Sequence, residues 1–326
     1  MNKTSINSNL LAGVLALLCV SASFAQNVTS ASAGDPPATP DIRDLIAASP
    51  ELPYRFTYLE AQAPTPGWES GMVSWVSLGG HGLIYEIQRG DKADPVLVLD
   101  SQGKVLRSWG KGEYKIPHSI RVDPAGNVWT VDAGSSTVIK YSPNGKKLMT
   151  IAVGEQPVNK GAFSGTTDIA FGPNGHLFIT DGYGNARVLE YTADGKRVKQ
   201  WGQPGTGAGE FHLPHAIQIV DGTVYVADRE NGRIEEFDLE GRYRGEIDNL
   251  GRIYSLKVVG GVIWAGVQEK SKPAGPGGWL VKLDRETGKL LGHLEVSGLH
   301  SVELSAAGEP VIVDANRLLW LKPSQR

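Results

Sequence analysis

The chain contains almost no cysteine: its 326 residues include one, Cys19. Disulfides therefore cannot hold the fold, and a hydrophobic core must do so instead. The net charge of -3 shows no basic excess, so we expect no nucleic-acid partner. The apolar run from Leu10 to Val20 is shorter than the roughly 20 residues that a membrane-spanning helix needs. Helical periodicity is also missing from the rest of the chain, which points away from a helical fold.

The first 50 residues have the composition of a targeting segment followed by a linker. Lys3, the apolar run and the Ser-Phe-Ala sequence before Gln26 are typical of a secretory signal, so we predict a signal peptide over 1–25. Residues 26–50 are rich in Ala, Ser, Pro and Thr and are predicted to be a disordered linker. We therefore expect an exported protein, periplasmic or secreted, with one domain over 51–326.

From residue 51 onward the chain repeats a pattern of four short strands separated by turn signals. The pattern is clear over 118–151 and returns over 168–202, 215–247 and 252–295, with an earlier copy over 72–110. A last copy after His300 has only three strands. Four antiparallel strands in each 40–50 residues are typical of a propeller blade, so we predict an all-β, six-bladed β-propeller. The stretch YRFTYLE (54–60) would add the missing outer strand and close the ring.

Three histidines occupy the same position in alternate units: His118, His215 and His300 each stand at the head of a first strand. First strands line the central channel of a propeller, and alternate blades of six lie about 120° apart around it. The three imidazoles can therefore meet on the axis and leave one coordination position open, as in catalytic zinc sites. A lone histidine at a strand head would be an ordinary buried residue, but the shared register favours a metal site.

The turns between second and third strands lie on the same face as these strand heads, because adjacent strands are antiparallel. They carry Arg89, Tyr183 and Arg229. Two arginines favour a small-molecule or peptide substrate with a carboxylate, which a guanidinium binds through two parallel hydrogen bonds. A tyrosine near a dication and two guanidiniums is expected to have a lowered pKa and to act as a base. Each of these residues alone would be ordinary turn packing or surface charge.

Three units contain a strand that ends in Asp and is followed by a turn and an Arg, a pattern that resembles NHL repeats. The pairs are Asp181 with Arg187, Asp228 with Arg233, and Asp314 with Arg317. Because the pairs recur in one unit after another, we interpret them as structural contacts that fix hairpins.

Several stretches resemble one family, the peptidyl-α-hydroxyglycine α-amidating lyases. They are LPHAIQIV with VYVADRENGRIEEF, DGYGNARVLEYTADGKRVKQWG, and IYEIQRGD, and the likeness extends over about 70–320. The resemblance implies a six-bladed propeller that cleaves a peptidyl-α-hydroxyglycine to a peptide amide and glyoxylate. It also implies a separate hydroxylating enzyme that supplies the substrate. The residues implied are the zinc ligands His118, His215 and His300, the catalytic Tyr183, and the substrate-binding Arg89 and Arg229.

The resemblance leaves a structural calcium ion open. In the family this ion is implied to use carbonyls at Val73 and Ile120 and an Asp where this chain has Ser301. Gly298 likewise stands where the family has Met. Two other functions also remain open. One is a non-catalytic exported propeller that binds a peptide, glycan or protein partner. The other is a lactonase-like hydrolase, whose site would gather carboxylates and Asn around calcium.

Overall fold

A computed structural model describes residues 41–154 and 163–324. The predicted signal peptide and residues 26–40 of the predicted linker lie outside the described residues. All described residues belong to one structural unit. Within them, no helix is both long and apolar enough to cross a membrane.

The described residues form six four-stranded antiparallel sheets, and each sheet is one blade. One helix precedes them, α1 (Ile42–Ala48), followed by strand β1 (Tyr54–Glu60). Blade one has β2 (Val73–Leu78), β3 (Ile84–Gln88), β4 (Val96–Leu99) and β5 (Val105–Trp109), with a 3-10 turn at Gly80–Gly82. Blade two has β6 (Pro117–Val122), β7 (Val128–Asp132), β8 (Thr137–Tyr141) and β9 (Lys147–Ala152). Blade three has β10 (Asp168–Phe171), β11 (Leu177–Asp181), β12 (Arg187–Tyr191) and β13 (Arg197–Trp201).

The later blades continue in the same order along the chain. Blade four has β14 (Pro214–Val220), β15 (Thr223–Asp228), β16 (Arg233–Asp238) and β17 (Tyr243–Ile247). Blade five has β18 (Arg252–Val259), β19 (Val262–Gln268), β20 (Gly278–Asp284) and β21 (Leu290–Val296). Blade six has β22 (Val302–Leu304), β23 (Pro310–Asp314) and β24 (Arg317–Pro323). The predicted all-β, six-bladed propeller is confirmed.

The N-terminal strand completes blade six. Strand β1 pairs antiparallel with β24 from Tyr54 opposite Pro323 to Glu60 opposite Arg317. This is the strand predicted to close the ring, and the prediction is confirmed. The pairing gives the sixth sheet its fourth strand and covers the edge that β24 would otherwise expose.

The end of the predicted linker is folded, in contrast to the prediction for residues 41–50. Helix α1 begins with a capping box, in which the Asp41 side chain accepts from the Arg43 N–H and the Asp44 carboxylate accepts from the Asp41 N–H. Ile42 and Ile46 are buried in the same apolar cluster as Leu250. The cap and the four-residue apolar spacing give the segment enough local order and burial to pack on the propeller.

Packing between neighbouring blades forms the core. Phe178 and Val188 of blade three, for example, share one buried cluster with Ile217 and Phe237 of blade four. The three Asp–Arg pairs lie in their hairpins as predicted, with Arg Nε 3.0, 3.0 and 3.1 Å from the carboxylate in the order of the chain. They fix the turns on the face that also carries the candidate site.

Candidate metal centre

The heads of the six first strands form a ring of equivalent positions around the channel. Going round the blades, these positions hold Ser74, His118, Thr167, His215, Tyr254 and His300. The strand pairing shifts register at four of them, Ser74, His118, His215 and Tyr254, so each is the extra residue of a β-bulge. A bulge bends the strand and redirects its side chain. Around this ring of six positions, each histidine is followed by a residue of another type: Thr167, Tyr254 or Ser74.

The three histidines of this ring come together. Their rings lie 4.7 to 4.9 Å apart between centroids, and one nitrogen from each can be chosen so that all three lie within 4.8 Å of one another. His118 and His215 are fully buried, and His300 is partly exposed. It is the one group of three or more metal-binding side chains within residues 41–154 and 163–324.

Each imidazole is oriented by a backbone carbonyl from the next position of the ring. The Nδ1 atoms of His118, His215 and His300 lie 2.6, 2.6 and 2.8 Å from the carbonyl oxygens of Thr167, Tyr254 and Ser74. A carbonyl only accepts, so each Nδ1 carries the proton and each Nε2 keeps its lone pair. The Nε2 of His118 is buried without a hydrogen-bond partner in the described structure. Such orientation is typical of metal-binding histidines.

Burial keeps the three imidazoles neutral. The pKa values of His118 and His215 are lowered well below the usual value, chiefly by burial and then by the neighbouring His300. The pKa of His300 is lowered to about 3 by burial and by the Arg89 guanidinium. Three neutral imidazoles, each with a lone pair on Nε2, fit a borderline dication such as Zn²⁺, and the donor set contains no carboxylate.

Trp75 forms the floor of the site. Its ring lies 6.1, 6.4 and 5.6 Å from the rings of His118, His215 and His300. The guanidinium of Arg121 lies over the Trp75 ring at 4.9 Å, and it pairs with Asp168 (2.7 Å) and Glu303 (3.0 Å). Trp75, Arg121 and Asp168 are almost fully buried, so this layer blocks the channel beneath the histidines.

Tyr183 and Arg229 lie beside the histidines on the face where sequence reasoning placed them. The Tyr183 hydroxyl is 3.2 Å from Nε2 of His215, and Nη1 of Arg229 donates to that hydroxyl at 3.4 Å. The lowered pKa expected for Tyr183 depends on a dication as well as on the two guanidiniums. Burial raises that pKa and outweighs the lowering by Arg229 and Arg89.

Arg89 approaches the histidines from blade one. Its Nε donates to the Pro117 carbonyl and its Nη2 to the Ser74 hydroxyl, both at 2.8 Å. The guanidinium also lies 5.3 Å from the ring of Phe163, which in turn lies 5.0 Å from the ring of Tyr183. The structure thus brings all six sequence-predicted site residues to one face.

Sequence reasoning missed four residues that shape this site: Trp75, Phe163, Glu230 and Tyr254. Tyr254 belongs to the ring of strand heads, and Trp75 directly follows Ser74 of the same ring. Aligning all six strand heads would therefore have drawn attention to Tyr254 and Trp75. Glu230 follows Arg229 directly, and its role depends on a contact with Arg252 that local sequence does not reveal. Phe163 precedes its blade's first strand and has no repeat position that marks it.

The residues around the implied calcium site are engaged within the protein. The Ser301 hydroxyl accepts from the Val76 N–H at 3.2 Å and lies 3.3 Å from the Val76 carbonyl. A Cβ at Gly298 would collide with the Val313 carbonyl, which explains why this chain has glycine there. Serine brings no charge to the position, so this chain lacks the carboxylate that the family's calcium site implies there.

The chain is similar in sequence to amidating enzymes. Over 157 residues it is 37% identical to peptidyl-alpha-hydroxyglycine alpha-amidating lyase 1 of Drosophila melanogaster, a match that covers 44% of this chain and 29% of that protein. Over 155 residues it is 36% identical to the peptidyl-glycine alpha-amidating monooxygenase of Mus musculus, covering 44% of this chain and 16% of that protein. The resemblance to the amidating lyases is confirmed.

The matched regions span less than a third of the length of these two relatives. A protein-family model described as a 6-bladed beta-propeller, DUF5128, matches residues 167–251. The solved structure of a streptogramin B lyase shares 14% identity and a TM-score of 0.59, covering 82% of this chain and 97% of that one. At this identity the likeness shows the fold alone.

Proposed function

We propose that this protein is a zinc-dependent carbon–nitrogen lyase acting on a peptidyl-α-hydroxyglycine or a similar carbinolamide that bears a carboxylate. The supporting observation is the convergence of three carbonyl-oriented histidines with Tyr183, Arg89 and Arg229 on one face. The sequence relatives named as amidating lyases favour this reaction over other uses of the same fold. A hydroxylating enzyme would supply the substrate.

The two arginines would hold the substrate carboxylate. The Nε and Nη2 atoms of Arg89 are occupied by Pro117 and Ser74, and those of Arg229 by Glu230. In Arg89, Nη1 and the second N–H of Nη2 remain on the outer end. In Arg229, Nη1 also donates to the Tyr183 hydroxyl, so one N–H of Nη1 and one of Nη2 remain. Two N–H groups of each guanidinium can therefore still bind a carboxylate. Each guanidinium is therefore held at its Nε side and leaves its outer N–H groups available to the substrate carboxylate.

Tyr183 would move the proton. Its hydroxyl lies between His215 and Arg229, where the α-hydroxyl of a substrate bound at the histidines would approach it. A zinc ion bound to the three Nε2 atoms would act as a Lewis acid that makes this hydroxyl more acidic. With a dication and the two guanidiniums lowering its pKa, Tyr183 would react as the phenolate and take the hydroxyl proton while the C=O bond forms and the C–N bond breaks. The Tyr183 hydroxyl would then give that proton to the departing amide nitrogen, so the reaction needs no oxidant or reductant.

The layer of Trp75 and Arg121 would leave one route to the histidines. Because the channel is filled beneath the site, substrate must enter from the face that carries Tyr183 and the two arginines. Bulk water is kept from the lower side of the histidines, which strengthens electrostatic interactions at the site.

The test is glyoxylate release from a synthetic peptidyl-α-hydroxyglycine. We expect release by zinc-loaded protein, loss of release with chelator, and loss in a variant with His118, His215 and His300 all changed to Asn. His81→Asn is the matched control, because His81 is exposed and outside the metal group. Elemental analysis is expected to find one zinc per wild-type chain and none in the triple variant. Absence of release by zinc-loaded wild type would refute the proposal.

A zinc-free wild type would point to the non-catalytic binding propeller instead. In that case the triple histidine variant would be expected to keep its binding partner. Finding calcium and lactone hydrolysis would favour the lactonase-like alternative. The metal group of the described residues contains three histidines and no carboxylate, which fits that alternative poorly.

A further inference from the structure

Glu230, the residue after Arg229, holds the guanidinium of Arg229 at its Nε side. Glu230 accepts through a single oxygen, Oε1, from Nε of Arg229 at 2.9 Å and lies 2.8 Å from its Nη2. The ring of Tyr254 supports the guanidinium from another side at 5.1 Å. Both side chains of the pair are largely buried, with 11% of Arg229 and 19% of Glu230 exposed. These contacts leave little freedom for Arg229 to turn away from Tyr183.

The other oxygen of Glu230 is held by blade five. Arg252 donates from Nε to Oε2 of Glu230 at 2.8 Å. Its Nη1 donates to the carbonyls of Lys272 at 2.5 Å and Glu269 at 3.4 Å, in the connection between β19 and β20. A continuous chain of contacts therefore runs from that connection through Arg252, Glu230 and Arg229 to the Tyr183 hydroxyl.

We propose that Glu230 is a positioning residue, which acts through Arg229 to hold its outer N–H groups toward Tyr183 and the substrate carboxylate. This inference rests on the proposed function for its kinetic effect. The geometry gives the reason: Glu230 takes the two donors on one side of the guanidinium, and Nη1 then points at Tyr183. Without the carboxylate, an arginine side chain regains several rotamers, and the productive geometry becomes one of many.

A double-mutant cycle tests whether Glu230 works through Arg229. The variants are Glu230→Gln, Arg229→Met and the two combined, with Glu240→Gln as a control on the same blade. Glu240 is exposed and pairs with Arg242. We expect Glu230→Gln to lower kcat/KM by about tenfold to a hundredfold, as loss of a charge-assisted hydrogen bond does. We expect the combined variant to be no slower than Arg229→Met alone.

Additive losses in the cycle would overturn the inference, since Glu230 would then act independently of Arg229. Zinc content is expected to stay at the wild-type value in Glu230→Gln, and a thermal midpoint that stays well above the assay temperature separates positioning from a general loss of folding. Glu230→Asp is expected to recover only part of the rate, because the shorter side chain cannot reach both arginines.

A crystallographic comparison gives a readout that does not depend on activity. In the wild type, Nη1 of Arg229 is expected near the Tyr183 hydroxyl, and in Glu230→Gln the guanidinium is expected to be displaced or spread over rotamers. An unchanged, ordered Arg229 in the variant would refute the inference even if the protein releases glyoxylate. A wild type that releases no glyoxylate but shows the displacement would refute the proposed function alone.

Discussion

Glu86 is a fully buried carboxyl group in an apolar layer of blade one. Val76 and Leu97 lie opposite it on the two neighbouring strands, and both are fully buried. Neither carboxyl oxygen has a hydrogen-bond partner in the described structure. Burial raises the pKa of Glu86 from 4.5 to about 8, so the group is protonated in the folded protein at neutral pH. Replacing it by Gln gives a neutral side chain of nearly the same shape.

The size of the effect follows from the pKa. A shift from 4.5 to about 8 corresponds to about 5 kcal/mol of unfolding free energy, an upper bound for a site that can relax. In the unfolded chain Glu86 loses its proton near pH 4.5, but in the folded protein it keeps it to about pH 8. The wild type is therefore expected to lose stability as pH rises from about 4.5 to 8, and to lose no more above that range.

The assay is urea unfolding followed by tryptophan fluorescence between pH 5 and 9. Glu86→Gln is expected to gain on the wild type steadily as pH rises, by up to about 1.4 kcal/mol for each pH unit inside the window. Glu240→Gln serves as the control, because Glu240 is exposed and should follow the wild type throughout. Parallel curves for wild type and Glu86→Gln would show that Glu86 is not a buried neutral acid.

Three further changes test other parts of the structure. Trp75→Leu is expected to weaken zinc binding by about tenfold without removing a ligand, because the smaller side chain opens the floor of the site under the histidines. Competition with a chelator measures the affinity, and an unchanged affinity would contradict the prediction. Arg121→Met is expected to cost about 3–5 kcal/mol in urea unfolding, since Asp168 would stay buried without its cation. Combining it with Asp168→Asn should recover part of that loss, and no recovery would argue against the ion pair as the cause. Zinc removal is expected to lower the thermal midpoint of the wild type, while the triple histidine variant should not respond.

Most of the fold was predictable from the repeated pattern of strands and turns in the sequence. Strand lengths, Asp–Gly type turns and a fourfold unit of constant size were enough to predict six blades and the closing strand at 54–60. The helix at 42–48 was missed because its surroundings are rich in Ala, Ser and Pro, and a seven-residue helix contributes a weak periodic signal.

The candidate site was predictable where it follows the repeat and not where it depends on side-chain packing. His118, His215 and His300 share a phase, so their meeting could be expected from blade number alone. Glu230 and Arg252 are joined across two blades, and no spacing in the sequence brings them together. Burial raises the pKa of Tyr183, and the sequence shows the neighbouring charges but not how deeply the phenol is buried.

Blade six pairs the first strand, β1, with the last, β24, and the third histidine belongs to it. The hydrogen bond from His300 to the carbonyl of Ser74 spans 226 residues of sequence and crosses the seam between the last blade and the first. An ion bound by all three histidines would therefore fasten that seam, and only a chain that has been fully made and closed into a ring can bind it with three ligands. Metal occupancy would then report that assembly of the ring is complete, and an ion-free chain would open first at this join.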